Sequence, residues 1–130
     1  MMIKSLLVIS AGASIGAAVR WGLGLTLNSM FPLIPLGTLV ANMLGGYCMG
    51  FAIGVFGTFP SLSPEWRLLI ITGFLGALTT FSTYSAEVAT LLQRGRIFVA
   101  LSSIAIHNVG ALCMTFLGIG TFALIKMIAK

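Results

Sequence analysis

Charge is what this sequence has least of. Only 7% of its 130 residues are Asp, Glu, Lys or Arg, where soluble domains carry about 25%. The acidic residues are two, Glu65 and Glu87, and the only histidine is His107. The chain therefore holds no carboxylate pair at helical spacing, no Ser/His/Asp or Cys/His set and no phosphate-binding loop, so an enzyme is not expected. Its two cysteines, Cys48 and Cys113, fall inside apolar runs without C-x-x-C or zinc spacing and read as small buried apolar residues. The seven basic residues are dispersed, with Arg94 and Arg96 the nearest to a cluster. No basic stripe with interleaved aromatics is present, which argues against a nucleic-acid partner.

What the sequence has instead is apolar length. Hydrophobic residues make up 58% of the chain and gather into four long runs, each long enough to cross a bilayer. The expected class is an all-α integral membrane protein of one domain, with spans at about 3–27, 36–56, 65–92 and 97–125. The first run follows Lys4 closely, as in a signal peptide, but three further spans follow and no cleavage site is evident, so it reads as retained. Gly12 and Gly16, and then Gly46, Gly50 and Gly54, recur at every fourth position and mark faces for close helix approach. Four spans place Lys4, Arg67, Lys126 and Lys130 on one side and Arg20, Arg94 and Arg96 on the other. Orientation follows the excess of Lys and Arg; with almost none, insertion in both orientations is expected.

The chain is organised around Gly73 to Glu87, GFLGALTTFSTYSAE, inside the third run. Thr79, Thr80, Ser82, Thr83, Ser85 and Glu87 crowd a segment that lipid would tolerate poorly. Thr80, Thr83, Glu87 and Thr90 share one helical face, and Phe81 and Tyr84 a neighbouring one. Gly76 can tolerate a break in the third helix near its middle, and a break would free main-chain carbonyls for a cation. Two antiparallel copies meeting on a two-fold axis would offer four such oxygens, a donor set for a hard monovalent ion; the other reading of Gly76 is close helix packing alone. Thr38 and Asn42, four apart, lie on a face that can turn inward, and an isolated Asn there reads equally as interhelical glue. Arg20 beside Trp21 is either an interfacial anchor or a functional charge. His107, aligned with Ala111 and Thr115, reads as a structural hydrogen-bonder. Glu87, a carboxylate inside an apolar span, reads as protonated or as turned aside to bond Thr83.

These residues resemble the signature of the CrcB, or Fluc, family of small bacterial fluoride channels, usually GGLTTFSTF. The likeness runs nearly end to end through AVRW at Ala18–Trp21, PLGTLVANMLGG at Pro35–Gly46, ITG at Ile71–Gly73, SAEV at Ser85–Val88 and LLQRGR at Leu91–Arg96. The resemblance implies passive, fluoride-selective export across the bacterial inner membrane by an antiparallel homodimer of dual topology, embedded in lipid. It implies a fluoride path along Asn42, Phe81, Ser82, Thr83, Tyr84, Glu87 and Thr115, with Arg20 at a vestibule. It also implies a structural sodium ion on the carbonyls of Gly76 and Thr79. The residues fit the chemistry: hydroxyls and an amide can donate to fluoride, and aromatic ring edges are electropositive. Three positions depart from the pattern: Tyr84 stands for a second Phe, Ala77 for a second Gly, and Ala111 where Ser is frequent. Two other classes compete. A proton-coupled multidrug exporter would need an acidic residue in the first span, which has none. A non-transporting scaffold subunit would leave the polar stretch unexplained.

Overall fold

A computed structural model describes residues 1–130. Helix α1 spans Met2–Leu27 and α2 spans Leu36–Thr58. The third span starts with α3, Pro64–Arg67, runs on as a π-helical segment, Leu68–Leu75, and ends its first half with α4, Gly76–Leu78. Residues 79–81 are not helical. The span resumes as α5, Ser82–Gln93, and the chain finishes in α6, Ile97–Ile128. All four spans are long and apolar enough to cross a membrane, so this is a multi-pass membrane protein.

Local chemistry sets the ends of these elements. Ser63 caps α3 by accepting from the Glu65 N–H, and Pro64 occupies the first turn, where its missing N–H costs nothing. Between α5 and α6 the chain turns on Gly95, the one residue with positive φ, at 73°. There the Arg96 N–H reaches back to the Leu91 carbonyl at 2.9 Å, closing off the end of α5. Asn28 Oδ1 accepts from the Gly37 N–H at 2.8 Å and ties the end of α1 to the start of α2. Lys4 Nζ meets Glu65 Oε1 at 2.9 Å, so α1 and the third span begin at the same end of the bundle.

Glycine sets how closely the helices approach. On the α2–α6 seam a Cβ at Gly50 would overlap the Thr115 carbonyl, and one at Gly118 would overlap the Tyr47 carbonyl. On the α1 seam, Gly12 lies against the Leu69 carbonyl and Gly16 against the Phe74 carbonyl, both within the π segment. Backbone-to-backbone approach of this kind is how helices associate where lipid removes the hydrophobic drive. Buried side chains are few and fall into two clusters. Ala41, Ala52, Phe56, Leu75 and Leu78 lie between α2 and the first half of the third span. Tyr84, Val88, Leu91 and Ala100 lie between α5 and α6. Large apolar side chains such as Phe98 and Phe116 point outward, as a lipid-facing surface requires.

The third helix breaks near its middle, but not at Gly76. That residue is helical, with φ −61° and ψ −33°. The departure comes at Thr79, which is extended at φ −82° and ψ 154°. The reason is a competing hydrogen-bond partner on α2, described below, rather than the flexibility of glycine. The π segment has no counterpart in the sequence reading, because a wider helical turn leaves no distinct apolar period.

Gly50→Val should lower stability by about 1–3 kcal/mol, the usual cost of overpacking, whereas Gly57→Val, where nothing lies within 4 Å of an added Cβ, should not. Thermal unfolding of both variants in detergent checks this; equal melting would mean the α2–α6 seam does not depend on close approach.

Candidate functional site

The break is held by one side chain. Asn42, on α2, accepts from the Thr80 N–H through Oδ1 at 2.8 Å and donates through Nδ2 to the Thr80 carbonyl at 3.1 Å. In an uninterrupted helix those two groups would pair with the Gly76 carbonyl and the Tyr84 N–H. The amide thus replaces both helical partners of Thr80. Thr80 in turn caps the next helix, its Oγ1 accepting from the Thr83 N–H at 3.1 Å. The Arg20 Nε donates to the Ala77 carbonyl at 3.0 Å, an oxygen whose own helical partner the break removes. The Gly76 and Thr79 carbonyls receive no hydrogen bond from the chain. Main-chain oxygens left bare at membrane depth are costly unless protein, water or an ion meets them.

Beside the break lies an open groove of about 530 Å³ between α2, the non-helical residues and α6. Of the residues expected along a path, Asn42, Phe81, Tyr84 and Thr115 line it, and Thr79 lines it too. Phe81 is 75% exposed although it sits in the middle of a span. Its ring meets Tyr84 edge to face, with centroids 5.6 Å apart and planes at 65°. The Tyr84 ring also stacks on the His107 imidazole at 4.5 Å.

Other expected residues lie elsewhere. Ser82 is exposed, and its hydroxyl sits 3.4 Å from Thr80 Oγ1. Neither Ser82 nor Thr83 lines the groove. Glu87 does not bond Thr83: its Oε1 accepts from the hydroxyl of the buried Thr38 at 2.6 Å, and Oε2 is buried without a partner. Thr80, Thr83, Glu87 and Thr90 therefore do not form one wet stripe. The break lifts Thr80 off the helix, Glu87 turns to α2, and Thr90 bonds its own Ala86 carbonyl. Asn42 is interhelical glue as well as groove lining, because both of its amide hydrogens are held within the protein.

Two groove residues that the sequence reading left outside the path are His107 and Asn108. His107 is 4% exposed, and its Nδ1 lies 3.1 Å from Asn42 Nδ2. The Asn42 amide orientation is fixed by its pairing with Thr80, so Nδ2 donates here and Nδ1 accepts, which leaves the imidazole proton on Nε2. Asn108 Nδ2 donates to the Ile104 carbonyl at 2.8 Å and to the Tyr84 hydroxyl at 3.1 Å. The available signal was the four-residue step from His107 to Ala111 and Thr115, which put His107 on the groove side of α6 without saying what it touched. No group of His, Cys, Asp and Glu residues could hold a transition metal.

Comparison with known proteins shows the family. Residues 7–119 match the model of the family described as CrcB-like protein, Camphor Resistance (CrcB). The chain is 61% identical over 125 residues to the fluoride-specific ion channel FluC of Pseudomonas putida (strain W619), covering 96% of this chain and 98% of that one. It is 60% identical over 124 residues to the protein of the same name from Pseudomonas syringae pv. maculicola, covering 95% and 98%. With its counterpart in Tolumonas auensis it shares 59% over 125 residues. A match over this much of the chain, joined to four apolar spans and a broken third one, places the chain in the CrcB-like family.

Proposed function

We propose that this protein is a passive, fluoride-selective channel that exports fluoride across the bacterial inner membrane, working as an antiparallel homodimer of dual topology. The observation that carries the reading is the groove at the break: polar backbone and an edge-on aromatic pair at the middle of a membrane span, in a protein with no catalytic constellation. Near full-length identity to proteins named fluoride-specific ion channels supports the choice of ion.

Fluoride is small and strongly hydrated, so a path must replace its water with donors. The exposed ring edge of Phe81 supplies one type, since aromatic edges are electropositive. Larger halides would be disfavoured by width and by weaker donor interaction. Arg20, half-buried at the break, adds positive charge near the path while bracing the Ala77 carbonyl.

The dimer reading rests on what one chain leaves open. Phe81 and Ser82 are exposed at the centre of a span, where lipid is a poor neighbour for the polar segment. A second copy, inverted, would cover that surface and close the groove with its own residues. The even split of basic residues permits the inversion. Two breaks meeting on the two-fold axis would bring the Gly76 and Thr79 carbonyls of each copy together. These uncommitted oxygens suit a structural sodium ion, whose role would be to neutralise carbonyl dipoles at the dimer centre.

The rival readings fit less well. An exporter driven by protons needs a titratable acid in the first span, and both acids of this chain lie in the third. A scaffold subunit has no use for the groove. Recording from purified protein in liposomes with fluoride, chloride and a drug cation separates the three: current with fluoride alone is expected, and transport of the drug cation or none at all would overturn the proposal.

Reporter tags at the C-terminus should give signals from both sides of the membrane; one exclusive orientation would rule out the inverted dimer. Phe81→Ile should abolish or severely reduce fluoride efflux with the dimer intact by size-exclusion chromatography, and normal efflux would remove the ring-edge contact from the path. Replacing sodium on both sides by a large organic cation should suppress efflux, while Thr79→Ser, which keeps the carbonyl, should behave as the parent; unchanged efflux after thorough sodium removal would refute the cation.

A further inference from the structure

The side-chain donors of the groove can be counted one hydrogen at a time. Asn42 has two amide hydrogens, one on the Thr80 carbonyl and one on His107 Nδ1. The Thr79 hydroxyl donates to the Leu75 carbonyl at 2.9 Å, and the Thr115 hydroxyl to the Ala111 carbonyl at 2.9 Å. Thr80 Oγ1 accepts from the Thr83 N–H and faces Ser82 Oγ. Asn108 commits both amide hydrogens, to the Ile104 carbonyl and to the Tyr84 oxygen. Its orientation is not arbitrary, since the flipped amide would set its oxygen against the Ile104 carbonyl, acceptor against acceptor. The Tyr84 oxygen is therefore an acceptor in that bond. Its own hydrogen finds no acceptor in the chain. His107 Nε2 carries another uncommitted hydrogen, but that atom is buried from water; one hydroxyl hydrogen of the Thr80–Ser82 pair and the Phe81 and Tyr84 N–H groups at the start of α5 also lack an acceptor in the chain.

We infer that the Tyr84 hydroxyl is a free donor of the groove toward a small anion, and that Asn108 is the positioning residue that turns it there. The inference rests on the channel reading above. Asn108 holds the hydroxyl, and two ring contacts hold the phenol that carries it. The Tyr84 ring is buried, stacked on His107 at 4.5 Å and met by Phe81 at 5.6 Å. A phenol on a locked ring loses little freedom when it binds an anion. A donor bond from Asn108 into the phenol oxygen polarises the O–H and strengthens its own donation. A hydrogen bond to a charged acceptor is also stronger than a neutral one. Phenylalanine at this position would offer a ring edge alone. Tyrosine adds a hydroxyl donor beside that edge, so this chain should hold fluoride in the groove more tightly than its Phe variant does.

The test uses the purified full-length protein in planar bilayers, reading fluoride current against fluoride concentration. Tyr84→Phe keeps the ring, and it should raise the half-saturating fluoride concentration roughly tenfold, the loss of one hydrogen bond to an ion. Asn108→Ala should shift it in the same direction by a smaller factor. In the Tyr84→Phe background, Asn108→Ala should add nothing, a non-additivity that a purely structural role would not produce. Unchanged half-saturation in Tyr84→Phe, with fluoride current still flowing, would overturn the donor and leave the channel reading intact. An equal Asn108→Ala shift in both backgrounds would overturn the positioning role. Absence of fluoride current in the unmodified protein would overturn the channel reading, and this inference with it.

Discussion

The pairing of one asparagine side chain with one residue's backbone holds the site together. Asn42 offers Thr80 both an acceptor and a donor, which are the two things the helix would have offered. A break in a membrane-spanning helix strands polar backbone in a medium without water, at several kcal/mol for each unsatisfied group. The amide meets that cost at Thr80, and Arg20 meets it at Ala77. Among the main-chain oxygens left uncovered are those of Gly76 and Thr79, and the Phe81 and Tyr84 N–H groups lose their helical acceptors to Arg20 and Asn42. The uncovered oxygens, the extended Thr79 and the restart of α5 at Ser82 all follow from a partner on α2 outcompeting the helix for Thr80.

That pairing needs the helices to sit close together and in register. Glycine seams supply the closeness: Gly12 and Gly16 let α1 approach the π segment, and Gly50 and Gly118 let α2 and α6 touch backbone to backbone. Register follows because a carbonyl seated over a glycine cannot slide by a residue without meeting a side chain. His107 then completes the arrangement from α6, accepting from Asn42 and stacking on Tyr84. The groove is thus walled by side chains whose hydrogen bonds are mostly satisfied inward, and this leaves few of their hydrogens free.

The polar run from Thr79 to Glu87 was legible because apolar helices rarely carry so many hydroxyls, and the chain does open there. The position of the break within the run was not legible. Glycine marks where a helix can yield, and Gly76 drew attention for that reason, yet the helix yields three residues later where Asn42 reaches it. The helical stripe through Thr80, Thr83, Glu87 and Thr90 failed for the same cause, since a periodic face presumes one continuous helix. Glu87 bonds Thr38, 49 positions away in sequence, a partner that no local spacing reveals.

By itself the sequence determined the class of protein, the four spans, the segment that carries polar chemistry and the family to which the chain belongs. Those properties depend on composition and length along the chain, and a bilayer reads them locally, at about 1.5 Å per helical residue. Tertiary structure alone decided which hydrogens are committed and which are free. Asn42 reads from sequence as interhelical glue or as a donor to a path, and only the packed structure shows both of its amide hydrogens held within the protein. Tyr84 reads as a substitute for phenylalanine, but Asn108 leaves its hydroxyl hydrogen unclaimed. Hydrogen bonds between side chains depend on distances of about 3 Å between helices far apart in sequence, and these distances exist only once the helices have packed.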